Sequence, residues 1–215
     1  MSTVLSKEQI QHSIAARVAQ EIQASSVVNL GIGIPTLVSQ YALDPSISFH
    51  TENGLLGVTD VHEGYIDPNL VNAGKLPVGQ GLGASFFDSA ESFAMIRGSH
   101  IDIAILGALQ VDETGIIANW SVPGKNIIGV GGAMDLLVGA RKVIVTMSHT
   151  SKDGSSKLLK KCTYPITSTR QVDMIVTELA VFKVIDGRLN LIELMNGAAL
   201  QEVERQTEAD FIVQL

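Results

Sequence analysis

An α/β fold, built on an open and mainly parallel sheet covered by helices, is predicted by three features of this chain. A strand, glycine turn and helix occur in succession where Val27-Val28-Asn29-Leu30 runs through Gly31-Ile32-Gly33-Ile34-Pro35 into Thr36 to Ala42, and a second glycine loop, Gly129 to Asp135, feeds a helix at Leu136 and Leu137. Ile101 to Leu106 is an almost continuous apolar run, as expected of a strand covered on both faces. Asp186-Gly187, between Ala180–Ile185 and Arg188–Leu194, is the strongest turn signal and predicts a C-terminal hairpin.

The first helix starts at Ser6-Lys7-Glu8-Gln9, which has the form of a capping box, and carries Ile10, Ile14, Val18 and Ile22 at helical spacing to about Gln23. Its polar face is Arg17, Gln20 and Glu21. A strand is expected over Ile47 to His50, and Leu55 to Gln80, rich in Gly, Asp, Asn and Pro, reads as one long irregular, functional loop. Asp88 or Ser89 caps a helix through Ile96 that stops at Gly98. Ile116–Trp120 and Val143–Met147 read as strands, Thr169 to Leu179 as helical, Leu200 to Gln206 as the last helix and Phe211 to Leu215 as a short tail. Lys157, Lys160 and Lys161 form a local basic patch, read as solvated surface or, more sharply, as a contact for a phosphate-bearing ligand.

The 215 residues fit one domain, residues 1–215, and are enough to bury a core. Charged residues make up 17% against 46% hydrophobic, which implies that part of the surface is covered by another subunit. A net charge of -7 argues against a nucleic-acid partner, because neutralising phosphates takes clustered Lys and Arg. The lone Cys162 rules out an intrachain disulfide and suits a reducing compartment. Met1 to Gln11 lacks the apolar core of a signal peptide, and no apolar run approaches the ~20 residues of a membrane span, so a cytoplasmic protein with no membrane partner is expected if the source is bacterial.

Glu52 is the candidate reactive group. It ends the strand before Asn53-Gly54, where a turn holds one carboxylate at the rim of a sheet with flexible backbone around it. No metal is expected, since His12, His50, His62, His100 and His149 lack ligand spacing. No serine sits in a Gly-x-Ser-x-Gly elbow, which argues against a serine hydrolase. Gly31 and Gly33 lack the third glycine and the acidic partner of a dinucleotide fingerprint, so they are read as a glycine loop that lets substrate or a neighbouring strand approach backbone. A carboxylate with two glycine loops suits exchange of acyl groups between acids and thiols, with Gly131 and Gly132 ahead of a helix as oxyanion donors.

Ordered segments through most of the chain resemble the β subunit of bacterial 3-oxoacid and acetate-type CoA-transferases. They are Val28 to Pro35, Glu52-Asn53-Gly54, Phe87-Asp88-Ser89, Ser92 to Gly98, Leu109-Gln110-Val111, Ala118-Asn119-Trp120, Pro123-Gly124-Lys125 and Gly131 to Asp135. The resemblance implies an open α/β sheet and makes Glu52 the nucleophile that becomes a glutamyl-CoA thioester. Gly132 matches the glycine whose N–H helps bind the thioester oxygen, with Ala133 beside it, and Asn29, Lys75 and Asn119 match positions lining the CoA and acyl site. Coenzyme A is then a substrate, with no permanently bound cofactor, and an α subunit completes a hetero-oligomer acting on acyl-CoA and carboxylic acid. Thr51 stands where the family usually has serine, Val58-Thr59-Asp60-Val61-His62-Glu63 replaces the usual Gly-Pro-rich continuation, and Gly79 to Gly83 is also unusual, so the preferred acid is not legible. A non-catalytic subunit of the same fold, and a sugar-phosphate isomerase with Glu52 as base, are the competing readings.

Overall fold

The computed structural model describes residues 5–61, 66–125 and 129–215; His62 and Glu63, the last residues of the unusual continuation, lie outside them. Helix α1 (Lys7–Ala19) opens on the expected capping box, the Ser6 hydroxyl accepting from the Gln9 N–H and the Gln9 side chain accepting from the Ser6 N–H. It ends before the expected Gln23, where the Glu21 N–H closes a turn on the Val18 carbonyl. Its polar face, expected at Arg17, Gln20 and Glu21, is engaged in ion pairs. Arg17 sits 2.9 Å from Glu21 and 2.7 Å from Glu193, and Lys142 lies 2.7 Å from Glu21. Burial alone would lower the Arg17 pKa, but the two carboxylates outweigh it and hold the guanidinium above its ordinary range.

The strands follow in chain order: β1 (Val27–Leu30), β2 (Ser48–Thr51), β3 (Leu55–Thr59), β4 (Gly79–Phe86), β5 (Ile103–Gly107), β6 (Gln110–Asp112) and β7 (Ile117–Ala118). After these come β8 (Lys142–Thr146), β9 (Leu158–Leu159), β10 (Met174–Val176), β11 (Ala180–Ile185), β12 (Arg188–Leu194) and β13 (Phe211–Val213). Ten of them form one open sheet in the order β13-β12-β11-β10-β8-β5-β1-β2-β3-β4. From β10 to β2 every neighbour is parallel, antiparallel pairs extend the sheet on both sides, and β13, in the stretch expected as a short tail, adds a parallel edge beside β12. The remaining strands pair as β7-β6-β9.

Helices α2 (Ser89–Arg97), α3 (Ala133–Gly139) and α4 (Leu200–Gln206) share one apolar layer with Ala104, Leu106, Val143 and Val145, while α1 packs on the other face with Val28, Ile103, Ile105 and Ile144. Alternation along each strand feeds both layers, so the central strands are apolar throughout. Each fully buried Val, Leu or Ile contributes roughly 1.5–3 kcal/mol relative to exposure.

Two expectations are corrected. Thr169 to Leu179 is not helical: Val172, Ile175, Val176 and Leu179 fall at helical spacing, but Met174–Val176 is the parallel strand β10, and all three residues are fully buried between β8 and β11. A strand covered on both faces shows no period-two alternation, so the helical pattern is the only one visible. Leu55 to Gln80 is not one irregular segment either, because β3 turns back antiparallel on β2 and β4 begins at Gly79. The Asp186-Gly187 hairpin and α4 fall where expected, with Asp186 and Gly187 at φ of 51° and 70°.

The three lysines differ in setting rather than forming one solvated patch. Lys160 and Lys161 are exposed, Lys160 lying 3.4 Å from Asp210, whereas Lys157 is half-buried and burial pushes its ammonium down to about 8 against the opposing pull of Glu178. No helix among the described residues is long and apolar enough to cross a membrane. Cys162 is half-buried, with its Sγ 3.5 Å from the Ile116 carbonyl. Burial, and then the charge of Asp112, push its thiol up to about 12. At pH 8 the thiolate is then roughly a ten-thousandth of the population, so alkylation of the folded chain by iodoacetamide should run at least about 100-fold slower than in urea, as followed by mass spectrometry.

Candidate active site

Glu52 follows β2 directly, at the carboxyl end of the parallel strands, where an open α/β sheet leaves its crevice. The chain can reverse there because of Gly54, whose φ is 118° and whose missing side chain leaves room for the Phe87 carbonyl; an added Cβ would lie 2.1 Å from that oxygen. Thr51 and Asn53 lock the turn to the following loop. The Thr51 hydroxyl donates to Asn53 Oδ1 at 2.6 Å and accepts from the Ala73 N–H at 3.0 Å, and Asn53 Nδ2 donates to the Val71 carbonyl at 2.8 Å.

Asn29 is the polar interruption in β1 and is fully buried. It is the register partner of His50 across the parallel β1–β2 pair. Its Nδ2 donates to Glu52 Oε2 at 3.3 Å and to the His50 carbonyl at 3.2 Å, and lies 3.1 Å from His50 Nδ1. Asn29 Oδ1 is buried with no hydrogen-bond partner among the described residues. On the other side of the carboxylate stands Gly132, where α3 begins. A Cβ added there would meet Glu52 Cγ at 3.2 Å and Oε1 at 3.3 Å. Ala133 is the first residue of α3, and Gly131 before it is exposed with a φ of 55°.

The structure thus brings Glu52, Asn29 and Gly132 together. Asn119 and Lys75 stand apart from that contact. Asn119 Nδ2 donates to the Gly107 carbonyl at 3.2 Å, and its Oδ1 accepts from the Thr167 hydroxyl at 2.7 Å, so its carboxamide braces the end of β5. Lys75 is exposed in the loop that follows Ala73, with a φ of 61°. That loop reaches back to the glycine segment, since a Cβ on Gly74 would lie 3.3 Å from Ile32. Gly31 prolongs the β1–β5 pairing, its N–H donating to the Ile105 carbonyl at 2.8 Å, and Gly33, at a φ of 93°, turns the chain into the 3-10 helix Ile34–Gln40 rather than an α-helix. A cavity of about 570 Å³ lined by Leu30, Thr36, Phe49, Thr51 and Leu76 does not include Glu52. Among the described residues no group of three or more His, Cys, Asp and Glu side chains comes together as metal ligands would.

Residues 11–206 match the family described as Coenzyme A transferase. The chain belongs to that family. It is 53% identical over 201 residues to the beta subunit of the acetate CoA-transferase of Escherichia coli K12, covering 93% of this chain and 92% of the relative. It is 48% identical over 207 residues to a subunit of the succinyl-CoA:3-ketoacid coenzyme A transferase of Helicobacter pylori 26695, covering 96% of this chain and 100% of the relative. Among solved structures, the acyl-CoA transferase YdiF of Escherichia coli O157:H7 superposes with a TM-score of 0.79 at 22% identity, across 99% of this chain and 43% of that one. The decarboxylase AibA/AibB superposes with a TM-score of 0.70 at 20% identity, across 95% and 85%. At such identities the likeness is one of fold, and a sheet of this form carries more than one chemistry.

His50 and Ser92 are not singled out by the sequence as site residues, although a signal is present: Asn29 is the single polar residue of β1, and its register partner His50 lies two positions before Glu52. His50 is 3% exposed, and burial pushes its pKa down to about 4 from an ordinary 6.5. The unfolded chain therefore takes up a proton as pH falls below about 6.5 while the folded chain does not, so this group's stability is present above 6.5 and lost as pH falls through about 4. Between pH 7 and pH 5 the loss from His50 should be on the order of 2 kcal/mol. Urea unfolding at the two pH values checks it, and His50→Gln should remove that part of the dependence.

Gly132 has a φ of -78°, which any L-residue adopts, so a side chain there costs nothing in backbone strain and meets Glu52 first. Gly132→Ala should leave the thermal midpoint within about 2 °C while slowing turnover of the assembled enzyme about tenfold or more, since small displacements of a reacting group are costly. Steady-state kinetics beside a thermal melt would check both halves.

Proposed function

We propose that this chain is the catalytic subunit of a CoA-transferase that moves CoA between a short-chain (3-oxo)acyl-CoA and a carboxylic acid by a ping-pong mechanism through Glu52. One observation carries the reading: in a chain of the Coenzyme A transferase family, the carboxylate at the end of β2 is half-buried between the Asn29 amide and Gly132. Similar proteins are named as subunits of acetate and succinyl-CoA:3-ketoacid CoA-transferases, which supports short acids as the substrate class.

A carboxylate oxygen of Glu52 attacks the thioester carbonyl carbon, the C–S bond breaks, and CoA leaves as thiolate with Glu52 in a mixed anhydride. The thiolate then attacks the Glu52 carbonyl carbon, the anhydride C–O bond breaks, and the first acid departs as its carboxylate. Glu52 is left as a CoA thioester, and a second acid reverses both steps. No proton is consumed in the sum. Backbone N–H groups of Gly131 and Gly132 ahead of α3 are the donors assigned to the developing oxyanion, with Ala133, whose own N–H turns back on the Val130 carbonyl at 3.4 Å, beside them, and the Asn29 amide steadies the carboxylate before attack. Lys75, in the loop over the glycine segment, is assigned to CoA, and Asn119 to the wall behind it. CoA serves as substrate and no resident cofactor takes part.

A second chain is needed to keep water from the intermediates. The relatives are named as single subunits of their enzymes, the acetate-type one as beta, which supports an α subunit as that partner. Ile32 within the glycine segment and Met134 in the first turn of α3 are 70% and 46% exposed, apolar surface of the kind a partner covers.

The test is to assemble the chain with its α subunit, add acetoacetyl-CoA without an acceptor acid, and look by mass spectrometry for CoA attached at Glu52, which hydroxylamine should convert to a hydroxamate. Glu52→Gln keeps the size and loses the nucleophile, so turnover should fall by about a thousandfold or more while CoA affinity stays within about threefold. Equal activity in that variant, or no adduct in an assembled complex that binds CoA, overturns the proposal.

A further inference from the structure

The Asn29 carboxamide has two unlike ends, and its surroundings decide which one faces Glu52. Were Oδ1 on that side, it would stand against the His50 carbonyl and the Glu52 carboxylate, two acceptors at 3.2 and 3.3 Å. With Nδ2 there, its two hydrogens face three acceptors, one hydrogen being shared between two of them, and no like pair is opposed provided that His50 Nδ1 accepts. Nδ1 is then unprotonated, and the imidazole proton sits on Nε2, 3.1 Å from the hydroxyl of Ser92. Ser92 is fully buried in α2, and the His50 ring lies stacked on Phe87, with centroids 5.9 Å apart and planes within 10°. The ring can therefore neither turn toward water nor exchange its two nitrogens without losing a partner.

We propose that His50, keyed by Ser92, is a positioning residue for the reaction: it orients the Asn29 amide, which in turn holds Glu52 Oε2 and leaves Oε1, on the Gly132 side, as the oxygen that attacks. The inference rests on the reading of Glu52 as nucleophile. His50 touches the Asn29 side chain, Ser92 and Phe87, and acts on the carboxylate only through Asn29. Burial, which keeps the ring neutral, supports the accepting role of Nδ1. A protonated ring would turn an N–H against the amide N–H and release the carboxamide.

The experiment measures the single-turnover rate at which the assembled complex forms the Glu52–CoA thioester from acetoacetyl-CoA without acceptor acid, together with KM for the acyl-CoA. His50→Phe keeps an aromatic ring over Phe87 and removes the acceptor; it should slow thioester formation roughly 10- to 100-fold with KM within about threefold, the usual range for losing a group that orients a reacting one. His50→Gln again offers an acceptor and a donor and should return the rate to within about fivefold of the unaltered complex. Ser92→Ala frees the tautomer and should cost roughly threefold to tenfold, near the value of one buried hydrogen bond.

A rate in folded His50→Phe equal to that of the unaltered complex overturns the inference, as does a Gln variant as slow as Phe, because a packing role alone would not separate the two. If His50→Phe fails to assemble, an unchanged rate in Ser92→Ala overturns it. Absence of any thioester in the unaltered complex overturns the reading of Glu52 as nucleophile and this inference with it; a thioester that forms equally fast in all three variants overturns the positioning role alone.

Discussion

One buried amide ties the sheet to the chemistry proposed for it. Asn29 lies in a strand of otherwise apolar residues and is wholly excluded from water, a position where an unsatisfied amide costs a few kcal/mol. Its donors are satisfied only because β2 runs parallel in a register that sets His50 opposite and Glu52 just beyond. A slip of one residue would turn His50 and Glu52 to the α1 face and leave Asn29 against Phe49 or Thr51. The register of two four-residue strands is thus coupled to the aim of a single carboxylate, and the folded core is what keeps that carboxylate in place.

The rest of the architecture supplies what that contact lacks. Parallel strands from β10 to β2 bring the ends of β1, β2 and β5 to one rim, which is why the glycine segment, Glu52 and the Asn119 brace on Gly107 share an edge. Continuing in the same sense after β2 would have needed a long crossover. Gly54 instead reverses the chain at once, and the antiparallel β3 and β4 then support the turn from the side. Thr51 and Asn53 use their side chains on the loop rather than on the reacting group, so the loop over the glycine segment is anchored from the strand end that presents Glu52.

Much of this is legible from residues alone where local chemistry decides local structure. The capping box at Ser6, the Asp88 cap and the Asp186-Gly187 turn are short-range signals, and each element they announce is present. Strand β10 is not legible because its neighbours, not its own residues, make it a strand: three buried apolar residues carry no period, and Val172 with Leu179 completes a false helical one. Strand β3 is hidden by the turn-forming composition of the residues after it, since the pairing with β2 that orders Leu55–Thr59 is a tertiary fact. The motif points to Glu52, but His50 reads as one residue of an alternating strand until Ser92, forty-two positions later in sequence, comes within 3.1 Å of its ring.

The presence of this fold in a decarboxylase, at a TM-score of 0.70, removes the sheet itself as a reason for any one reaction. What distinguishes CoA transfer is that activation must pass from one acid to another without hydrolysis, and in the proposed reaction a carboxylate bonded to a buried amide on one side, with the bare backbone of Gly132 on the other, meets half of that demand. The amide aims it from one side. The other half is dryness, which the isolated chain does not provide, because Glu52 remains partly open and Ile32 of the glycine segment and Met134 of α3 face outward. In the proposed enzyme the two requirements are divided between two chains: this one sets the direction of attack from within its own core, and the partner closes the crevice over it. That division explains why the polar contacts of Glu52 run inward to β1 and not outward to the loop, since a group oriented by its own sheet stays oriented while the covering surface engages and releases substrate.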